Sequence, residues 1–225
     1  MRIDIKGTIV SNSDAPVYNW YKIENTCPGD VQKAIDSAGG APVDVYIDSG
    51  GGDIFAGSDI YSTLREYRGT VKIHVTGLAA SAASVIACAG ESEISPTAMV
   101  MVHNVSTVAA GDYRDMDKTC ETLKECNKAI AAAYCEKTGM SEAEALTLMD
   151  NETWLPAKKA VEIGLIDKIS EQSNVRIAAS VTNLLPPEVV EKTKNMIENP
   201  TGNKSDFFMQ KTQAKLKLLK MKGGI

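Results

Sequence analysis

Two hydrophobic periods alternate along most of this chain. Short segments around Ile3–Ile9, Val43–Ile47, Val71–Val75, Ala98–Val102 and Leu165–Ile169 either alternate apolar with polar residues or are apolar throughout, as strands do. Between them run segments with apolar residues three and four apart. Pro28 and Asp30 open a helix to Ala38 with Val31, Ala34, Ile35 and Ala38 on one face. A second helix carries Ile54, Ile60, Leu64 and Tyr67 and stops at Gly69. A third begins near Ala79, after a hinge at Gly77, and runs through small residues to Ala89. Tyr113–Thr138 reads as one long amphipathic helix, with Met116, Leu123, Ile130 and Tyr134 among charges and Gly139 at its end. Ser141 and Glu144 form a capping box for a helix to Met149, and Pro156–Ile163 gives another, closed by Gly164. The polar stretch to Pro16 and the segment Asn25–Gly29 read as loops. Strands alternating with helices predict an α/β fold of right-handed βαβ units on a largely parallel sheet.

The pattern changes near Ser173. Pro186-Pro187, Asn199-Pro200 and Gly202-Asn203 punctuate a polar stretch, and the end, QKTQAKLKLLKMKGGI, is rich in lysine. Glu188–Ile197 and Lys211–Lys222 have helical composition but are too short to be stable alone in water. The expected organisation is one domain over 1–172 and a linker-like, partly helical tail over 173–225 that is docked or cleaved.

Composition narrows the function. A net charge of -5 across 225 residues argues against a nucleic-acid partner. No window approaches the roughly 18 apolar residues of a membrane span, and MRIDIKGTIV reads as a strand rather than a signal peptide. Cys27, Cys88, Cys120, Cys126 and Cys135 are odd in number and lack paired spacing, so reduced thiols in the cytoplasm fit better than disulfides or a metal site.

Four stretches could carry chemistry. Ser81 falls just past a strand-to-helix turn, where free backbone N–H groups gather, whereas Ser84 lies a turn inside the helix. Asp48-Ser49-Gly50-Gly51-Gly52-Asp53 follows a strand, and its glycines let a ligand approach main-chain N–H groups. It lacks the lysine of a phosphate loop and the spacing of a dinucleotide fingerprint. His103 ends a strand, where open α/β sheets gather ligand sites, while His74 sits inside one, opposite Ile73 and Val75. Asp150 and Glu152 lie between two short helices and are candidate acids to orient a histidine.

These stretches resemble the Clp protease proteolytic subunit family, and more closely its short phage and prophage members. VYIDSGGGDIFAG is similar to the family's glycine loop, GLAASAASVIACAG to its nucleophile segment and MVMVHN to its histidine segment. DNETWLPAKKAVEIGLIDKI resembles its acid-containing segment, and the likeness covers Met1 to Ile169. The resemblance implies the crotonase-like fold of stacked βαβ units, with a protruding handle built from the segment Asn104–Asp112 and the long helix. It implies serine peptidase chemistry without a cofactor or metal. Ser81 matches the nucleophile, His103 the general base, and Gly51 and Ala82 the oxyanion donors. Counting back from GLID puts Glu152 on the family's catalytic acid, with Asp150 as the alternative. An extended polypeptide substrate would lie between the glycine-loop strand, including Gly50 and Gly52, and the segment starting at Asn104 and Val105.

The resemblance also implies a homo-oligomeric ring, heptameric and single or doubled. Two departures stand out: Met1 almost opens the first strand, where housekeeping members carry a longer segment that engages an unfoldase ATPase, and Gly50 replaces a proline. The missing segment and the added tail favour a prophage protease, in the cytoplasm of a bacterial host, that processes capsid or scaffold precursors without ATP. The alternatives are a general degradative subunit working with an unfoldase ATPase, another enzyme of the same fold, and a non-catalytic ring-forming assembly protein.

Overall fold

The computed structural model describes residues 1–170, so the expectations for the tail lie outside the described residues. The chain enters as strand β1 (Arg2–Ile9), a short helix α1 (Ala15–Trp20) and the two-residue strand β2 (Asn25–Thr26). Helix α2 (Pro28–Ala38), strand β3 (Val43–Gly52), helix α3 (Ile54–Glu66) and strand β4 (Val71–Ala80) follow. Next come helix α4 (Ala82–Ala87), strands β5 (Glu91–Ile94) and β6 (Met99–Val102) and the long helix α5 (Tyr113–Thr138). Helix α6 (Glu142–Asp150), strand β7 (Thr153–Pro156), helix α7 (Ala157–Glu162) and strand β8 (Lys168–Ile169) complete the described chain.

The expected α/β architecture is present. The sheet runs β2-β1-β3-β4-β5-β8, and every pair along that path is parallel. Alternation decides which side chains are covered: Val43, Val45 and Ile47 are buried while Asp44 and Tyr46 are half-buried. Ile5, Ile73 and Ile94 of neighbouring strands meet Ile60 of α3 and Ile86 of α4 in one core. β4 serves two partners in succession. Lys72–Val75 pairs with β5, and Leu78–Ala80 pairs with β6. β6 in turn pairs antiparallel with β7. A wedge therefore opens along β4, with Ser81 at its end.

Several elements differ from the pattern reading. α1, β2, β5 and β7 are too short to show a period and exist through pairing and packing. β3 does not stop at Asp48 but continues through its glycines, because Thr8 and Ile9 of β1 pair with Gly51 and Gly52. The expected hinge at Gly77 is also displaced. β4 runs through Gly77 to Ala80, and the chain turns at Ser81. A Cβ at Gly77 would sit 2.3 Å from Asp48 Oδ1, which accepts the Leu78 N–H, so this glycine makes room for a neighbouring side chain.

The long helix spans the predicted residues. Asp112 and Asp115 form its capping box, and Gly139 ends it in the left-handed conformation. Only Ala131, Ala133 and Tyr134 of α5 are buried, so its first turns stand free of the core. Asn104–Asp112 joins no strand ladder, and the strand half of the expected handle is unpaired in the single chain. The buried end of α5 is pinned by Lys137, which donates to the Gly90 carbonyl and to Asp167. Asp167 also accepts from the Ser92 N–H and hydroxyl. Partial burial pushes the Asp167 carboxyl up, but Lys137 and Ser92 outweigh it and hold the group below the usual carboxylate range.

Two predictions follow from this packing. A Cβ on Gly52 would lie 2.1 Å from the Ile9 carbonyl oxygen, and its φ of +150° disfavours side chains. Gly52→Ala is expected to lower unfolding free energy by about 2 kcal/mol or more in denaturant titrations. Asp167 has a lowered folded pKa, so its contribution is complete above the unfolded value of about 4 and is lost as pH falls through the folded one. Asp167→Asn should therefore flatten the acid limb of a stability–pH profile and lower stability near neutrality.

Candidate active site

The site is built on one unusual residue. Ser81 joins β4 to α4 with φ 56° and ψ −126°, a conformation that non-glycine residues rarely hold. Such a residue costs on the order of 1–3 kcal/mol and persists only when its surroundings over-determine it. Here they do. The Ser81 N–H donates to the Met101 carbonyl at 2.9 Å, and the Ser81 carbonyl accepts from the Ser84 N–H at 2.9 Å and the Ser84 hydroxyl at 2.6 Å. Ser84 is fully buried and also bonds the Tyr134 hydroxyl at 2.7 Å, which ties α4 to α5. Burial pushes the Tyr134 phenol far up, so it remains a neutral partner. Ser84 is thus a support of the turn.

The sharp turn lifts the Ser81 side chain out of the sheet and toward the end of β6. There His103 Nε2 lies 2.8 Å from Ser81 Oγ. That distance allows the imidazole to take the hydroxyl proton. Cys88, one turn beyond Ser84, is no rival nucleophile, since burial pushes its thiol up to about 12. His74 stays on the sheet, held between Asp44 at 3.1 Å and Glu93 at 2.9 Å and stacked on Tyr46.

The glycine loop packs directly against this turn. A Cβ on Gly51 would meet Ala80 O at 2.6 Å, Ser81 Cβ at 2.7 Å and Ala82 N at 3.0 Å, and φ is +90°. Only glycine permits that approach. The Gly51 N–H, expected to face an oxyanion, instead donates to Ser49 Oγ at 3.0 Å. Ser49 is buried and donates in turn to the Gly7 carbonyl at 2.6 Å. The Ala82 N–H opens α4 and so lacks an intrahelical acceptor. Gly50 is exposed, with open space around it, and Gly52 borders the cleft.

The acid is not seated on the histidine. Among the described residues no carboxylate hydrogen-bonds His103. Asp150 accepts from the Asn104 amide at 2.8 Å, and Glu152 accepts from the Trp154 indole at 3.4 Å. The β6–β7 ladder ends beside both groups, pairing Val102, which precedes His103, with Thr153, which follows Glu152. Glu152 itself has φ 44°, a second left-handed position beside the site.

The segment after His103 is held by side chains the sequence pattern does not flag. Asn104 is committed to Asp150, and the Val105 N–H donates to Asn127 Oδ1 of α5 at 2.8 Å. Asn104 and Val105 were expected to offer backbone to substrate, and in this state the Val105 donor is engaged. A cleft of about 240 Å³ remains between the glycine loop, Ser81, His103, Val105 and α5. Ser49, Asn127 and Tyr134 complete the site through bonds that cross long stretches of chain and leave no periodic trace. Among the described residues no three histidine, cysteine or acidic side chains gather as metal ligands.

This constellation has relatives. The model of the family described as Clp protease matches residues 34–173. The ATP-dependent Clp protease proteolytic subunit of Bacteroides fragilis is 31% identical over 133 residues, covering 58% of this chain and 64% of the relative. Proteolytic subunit 1 of Streptomyces avermitilis is 33% identical over 142 residues, 61% of this chain and 65% of that one. The chain thus spans a little under two thirds of the length of these two relatives. Subunit 1 of Protochlamydia amoebophila is 29% identical over 175 residues, 75% of this chain and 79% of the relative. A ClpP1 point mutant from Listeria monocytogenes superposes with a TM-score of 0.64 at 23% identity, covering 77% of this chain and 92% of that one, which shows a shared fold. With the family model spanning well over half of the sequence and the glycine loop, Ser81 and His103 all inside it, the chain belongs to the Clp protease family.

Proposed function

We propose that this chain is a serine-type endopeptidase, and the 2.8 Å contact between His103 Nε2 and Ser81 Oγ carries that reading. His103 takes the Ser81 proton as the oxygen attacks a peptide carbonyl carbon. The developing oxyanion is met by the Ala82 N–H and by the Gly51 N–H once it leaves Ser49. The tetrahedral intermediate collapses as His103 protonates the leaving amine, and water then hydrolyses the acyl-enzyme with His103 again as base. We take Glu152 as the orienting acid, because it adjoins Thr153, the ladder partner of Val102 next to His103, while Asp150 anchors Asn104. An extended polypeptide lies between the glycine loop and the segment from Asn104.

The physiological role we infer is processing of capsid or scaffold precursors by a prophage-encoded protease in the bacterial cytoplasm, without ATP. The likeness of the glycine, nucleophile and histidine segments to short phage and prophage members supports it. A homo-oligomeric ring is the expected assembly. The exposed Val17, Trp20, Tyr21 and Ile23 on and after α1 supply an apolar surface of the kind that self-association buries. The relatives described as ATP-dependent proteolytic subunits favour a second reading, degradation with an unfoldase ATPase.

A fluorophosphonate probe should label Ser81, and Ser81→Ala should abolish the labelling; labelling that persists in the variant overturns the assignment. Co-expression with neighbouring capsid and scaffold genes should generate new termini that disappear with Ser81→Ala. Degradation of a tagged, folded substrate with a host unfoldase, without precursor processing, would favour the second reading. Replacing the acid should separate the two carboxylates. Glu152→Gln is expected to lower kcat by about 10³–10⁴-fold, and Asp150→Asn by much less. The strain at the nucleophile gives a further test. Ser81→Gly should be inactive yet more stable than Ser81→Ala by about 1 kcal/mol in denaturant titrations, because glycine adopts φ 56° without penalty.

A further inference from the structure

The cleft beside the reacting pair carries one charge that the peptidase chemistry does not use. Asp53 lines it, directly after the glycine loop, and is the only carboxylate among the lining residues. One of its oxygens, Oδ1, caps α3 by accepting the Ala56 N–H at 2.7 Å. Among the described residues no lysine, arginine or histidine pairs with Asp53. Of the other lining residues, Ser81 and His103 are the reacting groups, Ile54, Phe55, Val105 and Ile130 supply apolar wall, and Gly52, Ala82, Ser106 and Tyr134 complete the cleft. Phe55 is 72% exposed and so offers its ring to a bound chain.

An apolar wall that ends in an unpaired carboxylate suits one kind of side chain. Lysine and arginine bury an aliphatic stem along apolar surface while their charged head seeks an acceptor. A charge-assisted bond to a carboxylate is roughly twice as strong as a neutral one. A glutamate or aspartate in the same place would face Asp53 as a like charge, and a short apolar residue would leave this exposed carboxylate to water. Resting on the peptidase reading above, we propose that Asp53 is a specificity-determining residue that selects substrates with a lysine or arginine beside the scissile bond.

The test is cleavage of a proteome-derived peptide library by the full chain, with new termini mapped by mass spectrometry. Lysine and arginine should be enriched about tenfold at one position flanking the cleavage site, the discrimination expected of one charge-assisted bond. Asp53→Asn keeps a side-chain oxygen for the Ala56 N–H but removes the charge, and should erase the enrichment without moving the melting temperature. Raising the salt concentration should weaken the enrichment in the unchanged protein and leave the variant's profile flat. Ser81-dependent cleavage without basic enrichment, or enrichment that survives Asp53→Asn, overturns the proposal and leaves the peptidase reading standing. Absence of any Ser81-dependent cleavage overturns both.

Discussion

The structure turns on a single backbone constraint, the left-handed conformation of Ser81 at the end of β4. A strand that ran on would carry Ser81 into the sheet, and a helix that began earlier would bury it as it buries Ser84. The abrupt turn instead projects Oγ toward His103 and leaves the following N–H at the start of α4 without an intrahelical acceptor. That turn is strained, and the fold opposes the strain from three sides. Met101 of β6 accepts its N–H, Ser84 of α4 donates twice to its carbonyl, and Gly51 of β3 packs against its Cβ. The split of β4 between β5 and β6 follows from the same need, because the Met101 acceptor lies on the second of those partners.

On the proposed mechanism, two hydrogen bonds separate the described arrangement from a complete site. The Gly51 N–H rests on Ser49, and Glu152 rests on Trp154, while the Ser81–His103 pair is already in place. Of the two, Glu152 sits on backbone in a sparsely populated conformation, with φ 44°. Such positions tend to gather where a site has alternative arrangements to move between. The segment from Asn104 to Asp112 contributes Val105 and Ser106 to the same cleft and joins no strand ladder. On that mechanism, the acid and the loop are therefore the parts of the site that a bound peptide can reorder.

Local chemistry made much of the protein legible in one dimension. Alternation over Val43–Ile47 and Val71–Val75, the helical spacing of Tyr113–Thr138 and the Ser141–Glu144 box all became the elements they predict, since period and capping act over a few residues. Ser81, the glycine loop and His103 were also readable as candidates, because each lies at the end of a strand and strand ends converge at one sheet edge. The short elements α1, β2, β5 and β7 were not, since their stability comes from neighbouring strands and packing rather than from their own pattern.

The principal strands and helices and the candidate pair of Ser81 and His103 were thus legible in the sequence alone. Tertiary structure alone decided where the chain turns, moving the hinge from Gly77 to Ser81, because that choice rests on a ladder to β6 and a bond to Met101 some twenty residues away. It also decided how the two acids differ. Asp150 and Glu152 are equivalent as neighbours in a short loop, and only the fold brings Asn104, from a distant part of the chain, onto Asp150.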